Sequence, residues 1–89
     1  MFSLFKKDPY RKLEKNRKVL LKTDGRVVPQ GVCLVKLLRW EDGVEKLQIM
    51  GERSSESTVT STIVSHEIFG DHGVVVRTRN HSYMMELLQ

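Results

Sequence analysis

The chain has a single cysteine, Cys33, so it can form no internal disulfide and carries no sign of an oxidising compartment. A cytoplasmic location is the expectation. It also lacks any apolar run near the roughly 20 residues that span a bilayer, and the opening MFSLFKK is too short even for the apolar centre of a signal peptide. A soluble protein is expected. Aromatic residues are few, at 7% of the chain, and Tyr10 is the only one inside the basic N-terminal stretch, which argues against base stacking on single strands. With 89 residues the chain is expected to form one domain over 1–89. At this size folding buries only about 60–65% of the unfolded surface, and a core that thin houses an enclosed pocket of roughly 300 Å³ with difficulty. A non-enzymatic protein without a cofactor is the reading that follows.

What the sequence does have is a charge asymmetry. Residues 1 to 26 hold nine basic side chains against three acidic ones, while the remaining 63 residues hold six basic and eight acidic. A basic arm on a nearly neutral body points to nucleic acid, an anionic membrane face or an acidic protein surface.

Asp8-Pro9 is a helix start, because the aspartate can accept from free backbone N–H groups and proline at the first helical position has no N–H to leave unpaired. If the helix runs to Lys22, then Arg11, Lys15, Lys18 and Lys22 fall within about 60° of one another, and Tyr10, Leu13, Leu20 and Leu21 gather opposite. However, Val19 and Leu21 also alternate with Leu20 and Lys22 as in a strand, and Asp24-Gly25 suits a hairpin turn better than a helix end. The expectation is a basic helical arm over 1–18 and a β body over 19–89, whose first strand is Val19 to Thr23.

Beyond Arg26 the chain reads as strands punctuated by turns. Val32 to Trp40 and Val44 to Met50 flank Glu41-Asp42-Gly43, a hairpin signal. Ser54-Ser55-Glu56-Ser57 is a polar break before a threonine-rich strand in STVTSTIVSHEIF; GDHG turns the chain into VVVRT, and Asn80-His81 turns it into YMMELL. Alternation sets Val74, Val76 and Thr78 on one face, and likewise Tyr83, Met85 and Leu87. The fold expected is α+β to mainly β, an N-terminal helix followed by a four- to six-stranded antiparallel meander, as a small barrel or curled sheet. The barrel is preferred because Val32 to Trp40 is apolar on both parities and calls for cover on both faces.

An N-terminal helix, a hairpin reading VLLKTDGRVVPQGVCLV and a terminal pair containing VVVRTRN together resemble the Sm-like family of RNA-binding proteins. Gly25, Arg26 and Gly31 correspond to its early hairpin pattern, and Val76, Arg77 and Asn80 to its late strand. Gly25 to Gly31 is one residue longer than the family interval, Thr78 replaces the late glycine, and the Asp-x-x-Met-Asn element of the uridine pocket is absent from KLLRWEDGVEKLQIM. The resemblance implies a short helix before a bent five-stranded barrel, RNA as ligand and ring-forming oligomers. It leaves only Arg77 and Asn80 as remnants of the base pocket.

The candidate nucleic-acid contacts are Lys12, Lys15, Lys18, Lys22, Arg26, Arg77 and Asn80, reaching RNA or DNA phosphate without sequence reading. Met84 and Met85 point to opposite faces if extended, so one of them is left for an interface; with Leu88 they are the candidate subunit contacts of a homo-oligomer, a dimer before other sizes. Phe2, Leu4 and Phe5 could wedge into a membrane surface, but stapling the terminus to the body is the simpler role. His66, His72 and His81 lack metal-ligand spacing, Ser65, His66 and Asp71 are not framed as a triad, and Cys33 sits in an apolar strand that would suppress its thiolate.

Overall fold

In the computed structural model, residues 8–24, 31–52 and 57–88 are described. The helix that Asp8-Pro9 starts is a single turn, α1 (Pro9–Lys12), capped by the Asp8 carboxylate accepting from the backbone N–H groups of Tyr10 and Arg11. Leu13 then drops into the core and the chain is extended from Arg17. The expected arm over 1–18 is therefore shorter than its periodicity suggested, and the first strand starts two residues earlier than expected. The reason is tertiary: β1 (Arg17–Thr23) lies in the middle of the sheet, bonded to a strand on each side. There it buries Val19 and Leu21 completely, and each such burial contributes about 1.5–3 kcal/mol.

The other strands are β2 (Gly31–Arg39), β3 (Glu45–Gly51), β4 (Ser57–Val59), β5 (Ile63–Phe69), β6 (Gly73–Thr78) and β7 (Ser82–Leu87). They form one antiparallel sheet in the order β4-β3-β2-β1-β7-β6-β5. The Asp42-Gly43 hairpin forms as its residues require, with Gly43 at φ 89°, the Trp40 N–H donating to the Val44 carbonyl, and the Asp42 side chain accepting from the Val44 N–H. GDHG turns through Gly70 at φ 63°, and Thr78 and His81 close the last turn. The β1–β2 pairing runs through to Leu21 and Gly31, while Gly25, Arg26 and the rest of that turn, like Phe2, Leu4, Phe5 and Ser54 to Glu56, lie outside the described residues.

The sheet has seven strands, not four to six, and is not closed into a barrel. The threonine-rich stretch read as one strand is two, and they sit at opposite edges. This split also makes the sheet curl. Six interstrand intervals of about 4.8 Å would put the edges of a flat sheet roughly 29 Å apart, whereas the four steps from Val59 to Ile63 span at most about 14 Å. The crossing is tied on both sides: Thr60 donates its N–H to the Leu47 carbonyl and accepts the Leu47 N–H on Oγ1, and the Thr62 carbonyl accepts from the Arg79 N–H.

β4 pairs only with Gln48, Ile49 and Met50, so the Glu45 end of β3 faces β5 without a strand between them. Tyr10 fills that gap. Its hydroxyl donates to Glu45 Oε1 at 2.7 Å, and its ring stacks on His66 of β5 with centroids 3.7 Å apart and planes within 3°. The concave face of the curl holds the core, which includes Val19, Leu21, Cys33, Val35, Leu47, Ile49, Val74, Val76 and Met85, all fully buried.

Candidate functional site

Because the concave face is used up by the core, any site large enough to bind must lie on the outer face or at the hairpin tips. Side chains at paired positions project to the same face about 5 Å apart, so the ladder registers define rows across the outside. One row is Lys22, Met84, Val75 and Glu67. The next is Leu20, Glu86, Gly73 and Phe69. On the other half, Leu20 pairs with Val32, Lys18 with Leu34, and Leu34 with Met50. The result is a largely apolar band crossing the sheet, with Glu86 standing within it, in which Leu20 is 39%, Phe69 43% and Met84 49% exposed. No element among the described residues covers it.

The both-sided apolar pattern of β2 thus has a different outcome from the one expected. Cys33, Val35 and Leu37 enter the core, while Val32 stays exposed and Leu34 and Leu38 are only half-buried. Leu20, Lys22, Phe69, Met84, Met85 and Glu86 line a depression of about 150 Å³, smaller than the roughly 300 Å³ at which small-molecule sites begin. The Phe69 ring forms one wall by lying over Gly73, where a Cβ would fall 2.3 Å from the ring.

The expected phosphate contacts are dispersed. Lys12 ends the one-turn helix and Lys15 lies in the bend after it, Lys18 and Lys22 are on the outer face of β1, Arg77 on the outer face of β6, and Asn80 in the β6–β7 turn. Arg26 lies outside the described residues. Two of these cations are engaged: Lys18 with Glu52 at 3.0 Å and Arg77 with Glu67 at 2.6 Å. What the sheet does collect on one face is Lys18, Lys22, Lys36 and Lys46, through the β1–β2–β3 registers. Lys36 and Lys46 were missed by the sequence reading; the signal was their even parity with Leu34 and Leu38. Lys22 and Lys36 form no ion pair among the described residues, and Lys46 Nζ lies 5.4 Å from the Trp40 ring.

Of the expected subunit contacts, Met84 is exposed and Leu88 half-buried. Met85 is a correction: it is fully buried, paired between Leu21 and Val74 in the core, and offers no surface to a partner. Leu20, Val32 and Phe69 are exposed residues of this face that were not among the expected contacts, and Val75 beside them is half-buried.

A polar cluster ties the α1 segment to β2 and β3. Glu45 receives the Tyr10 hydroxyl on one oxygen and Arg39 on the other, at 2.7 Å, and Arg39 also reaches Glu14 at 3.1 Å. Burial alone would raise the Glu45 carboxyl, but the hydrogen bonds from Tyr10 and Arg39 bring it below its usual value. Burial, then the Glu45 hydrogen bond, push the Tyr10 phenol well above the usual range, and burial pushes the Cys33 thiol up to about 11, which leaves a negligible thiolate fraction at neutral pH. Ser65 pairs with Arg77 on the outer face and His66 with Val76 on the inner, so adjacent hydroxyl and imidazole point to opposite sides of the sheet. Among the described residues no three His, Cys, Asp or Glu side chains are grouped to hold a metal ion. No helix among them is long and apolar enough to cross a membrane.

No family model matches this chain, and neither the curated proteins nor the solved structures contain a significant match.

Proposed function

We propose that this chain is a non-enzymatic protein-interaction module that docks through the outer face of its sheet. The observation that carries the reading is the uncovered apolar band through Leu20, Val32, Met84 and Phe69, flanked by charged residues. Contiguous exposed apolar surface with a polar rim is characteristic of interaction sites, and docking recovers about 25 cal/mol for each Å² of apolar area it takes from water. The depression in the face is too small for a metabolite-sized ligand, so the face suits another surface better than a small molecule.

A second reading is contact with nucleic-acid phosphate, favoured by Lys18, Lys22, Lys36 and Lys46 on one side of β1 to β3. RNA is also what the Sm-like resemblance implies. Such binding is sequence-independent and weakens steeply with salt. It ranks second because the continuous helical stripe that first suggested it is a single turn, and because Lys18 and Arg77 are held by carboxylates.

A photo-reactive amino acid placed at Met84, and separately at Lys36, tests both in whole-cell extract. Protein adducts at position 84 that persist after nuclease treatment are the expected result. Adducts to nucleic acid alone, at either position, transfer the function to the second reading, and no adduct at either position refutes both.

A further inference from the structure

We propose that the partner on the outer face is a second copy of this chain, related by a two-fold axis that runs parallel to the strands between β6 and β7. This rests on the reading of that face as a protein docking surface and names its occupant. Across β1, β7, β6 and β5 one row carries Lys22, Met84, Val75 and Glu67, beginning with a cation, ending with an anion, and apolar between. A two-fold parallel to the strands reverses the order across the sheet and preserves position along it. Lys22 therefore meets the partner subunit's Glu67, Met84 meets the partner subunit's Val75, and symmetry repeats both contacts.

The neighbouring row obeys the same operation, since its ends are Leu20 and Phe69 and each apolar end falls on the other. One row is thus self-complementary in charge and the ends of its neighbour in apolarity about a single axis, as an isologous interface requires, while Glu86 falls over the partner subunit's Gly73. Sheets stacked face to face lie about 10 Å apart, a gap that a lysine and a glutamate side chain bridge together. Lys22 has no ion pair of its own among the described residues, and the Glu67 side chain is 70% exposed despite its bond to Arg77.

The size of the contact sets its strength. Four strands at about 4.8 Å and three outward rows at about 6.8 Å cover roughly 400 Å² per copy, or about 800 Å² in total, which is the size of a weak, transient contact. A reversible dimer is expected, populated at high concentration and dissociating on dilution.

Sedimentation of the full chain over a concentration series tests this, with circular dichroism melts to show that each variant folds. The wild type should move from the mass of one chain toward that of two. Lys22→Glu alone and Glu67→Lys alone should each weaken association about tenfold, because each places like charges opposite one another twice. Mixing the two variants in equal amounts should restore wild-type association, since both cross-copy pairs are again of opposite sign. A single-chain mass at every concentration overturns the proposal, and so does a dimer indifferent to both substitutions or a mixture no tighter than either variant alone. If the chain stays monomeric while position 84 cross-links to a different protein, self-association fails and the docking reading survives. A cross-link from position 84 into residues 1–7 of the same chain refutes both.

Discussion

Tyr10→Phe isolates the bond that seals the gap between the sheet edges. The substitution keeps the buried ring and its stack on His66 and removes one hydroxyl, whose hydrogen bond to Glu45 is 2.7 Å long. Hydrogen bonds to charged groups contribute about 1.5–3 kcal/mol. Arg39 continues to hold the other Glu45 oxygen in the variant, so the loss should lie at the low end, about 1.5 kcal/mol, or roughly 6–12 °C in Tm for a domain of this size. Glu45 gives the loss a pH signature. A carboxyl held below its usual value contributes stability that is present above the unfolded pKa of about 4.3 and lost as pH falls through the lower native value. The Tyr10 hydrogen bond is one cause of that lowering, so the penalty of Tyr10→Phe should be larger at pH 7 than at pH 3. Urea unfolding of wild type, Tyr10→Phe and Tyr10→Ala at both pH values is the assay. Tyr10→Ala should cost about 3–5 kcal/mol, because it also deletes the plug. Equal losses for Tyr10→Phe at the two pH values, or a loss below about 0.5 kcal/mol at pH 7, would refute the account of the seal.

The crossing and the methionine pair can each be tested by substitution. Thr60→Val should cost about 1–3 kcal/mol by denaturant unfolding, since it leaves the Leu47 N–H buried without its Oγ1 acceptor; Ser61→Ala next to it should be neutral or stabilising, because the Ser61 hydroxyl is buried without a hydrogen-bond partner. Mild peroxide should oxidise Met84 long before Met85, read by peptide mass, and Met85→Ala should cost about 2–5 kcal/mol, against a change within about 0.5 kcal/mol for Met84→Ala in the monomer; comparable oxidation of the two would contradict the registry of β7.

The local signals were legible where one residue type has one reason to be there. Asp8 and Pro9 start the helix, Gly43 and Gly70 take positive φ in their turns, and the alternation grouped Val74, Val76 and Thr78, and likewise Tyr83, Met85 and Leu87, each set on a face that the fold buries. The opposite parities of Met84 and Met85 were also legible, though not which of the two would be inside.

Where residues served two patterns, local reading stopped short. Leu20 and Leu21 fit a helix face and a strand equally, and the outcome came from β1 gaining ladder partners on both sides, β2 and β7, the second of which lies about sixty residues later in the chain. Likewise Thr60 to Thr62 carry no glycine or proline to break STVTSTIVSHEIF; the break exists because β3 and β6 each had an edge left to pair.

By itself, then, the sequence determined the turns at Gly43 and Gly70, the helix start, the period-two faces and the basic bias of the N-terminal third, all properties set within a few residues of one another. Tertiary structure alone decided the strand order, the curl that makes one face core and the other surface, and the rows in which Lys22 and Glu67 stand at opposite ends. The reason is physical: a strand's alternation specifies two faces, but which is buried depends on what the rest of the chain lays against it.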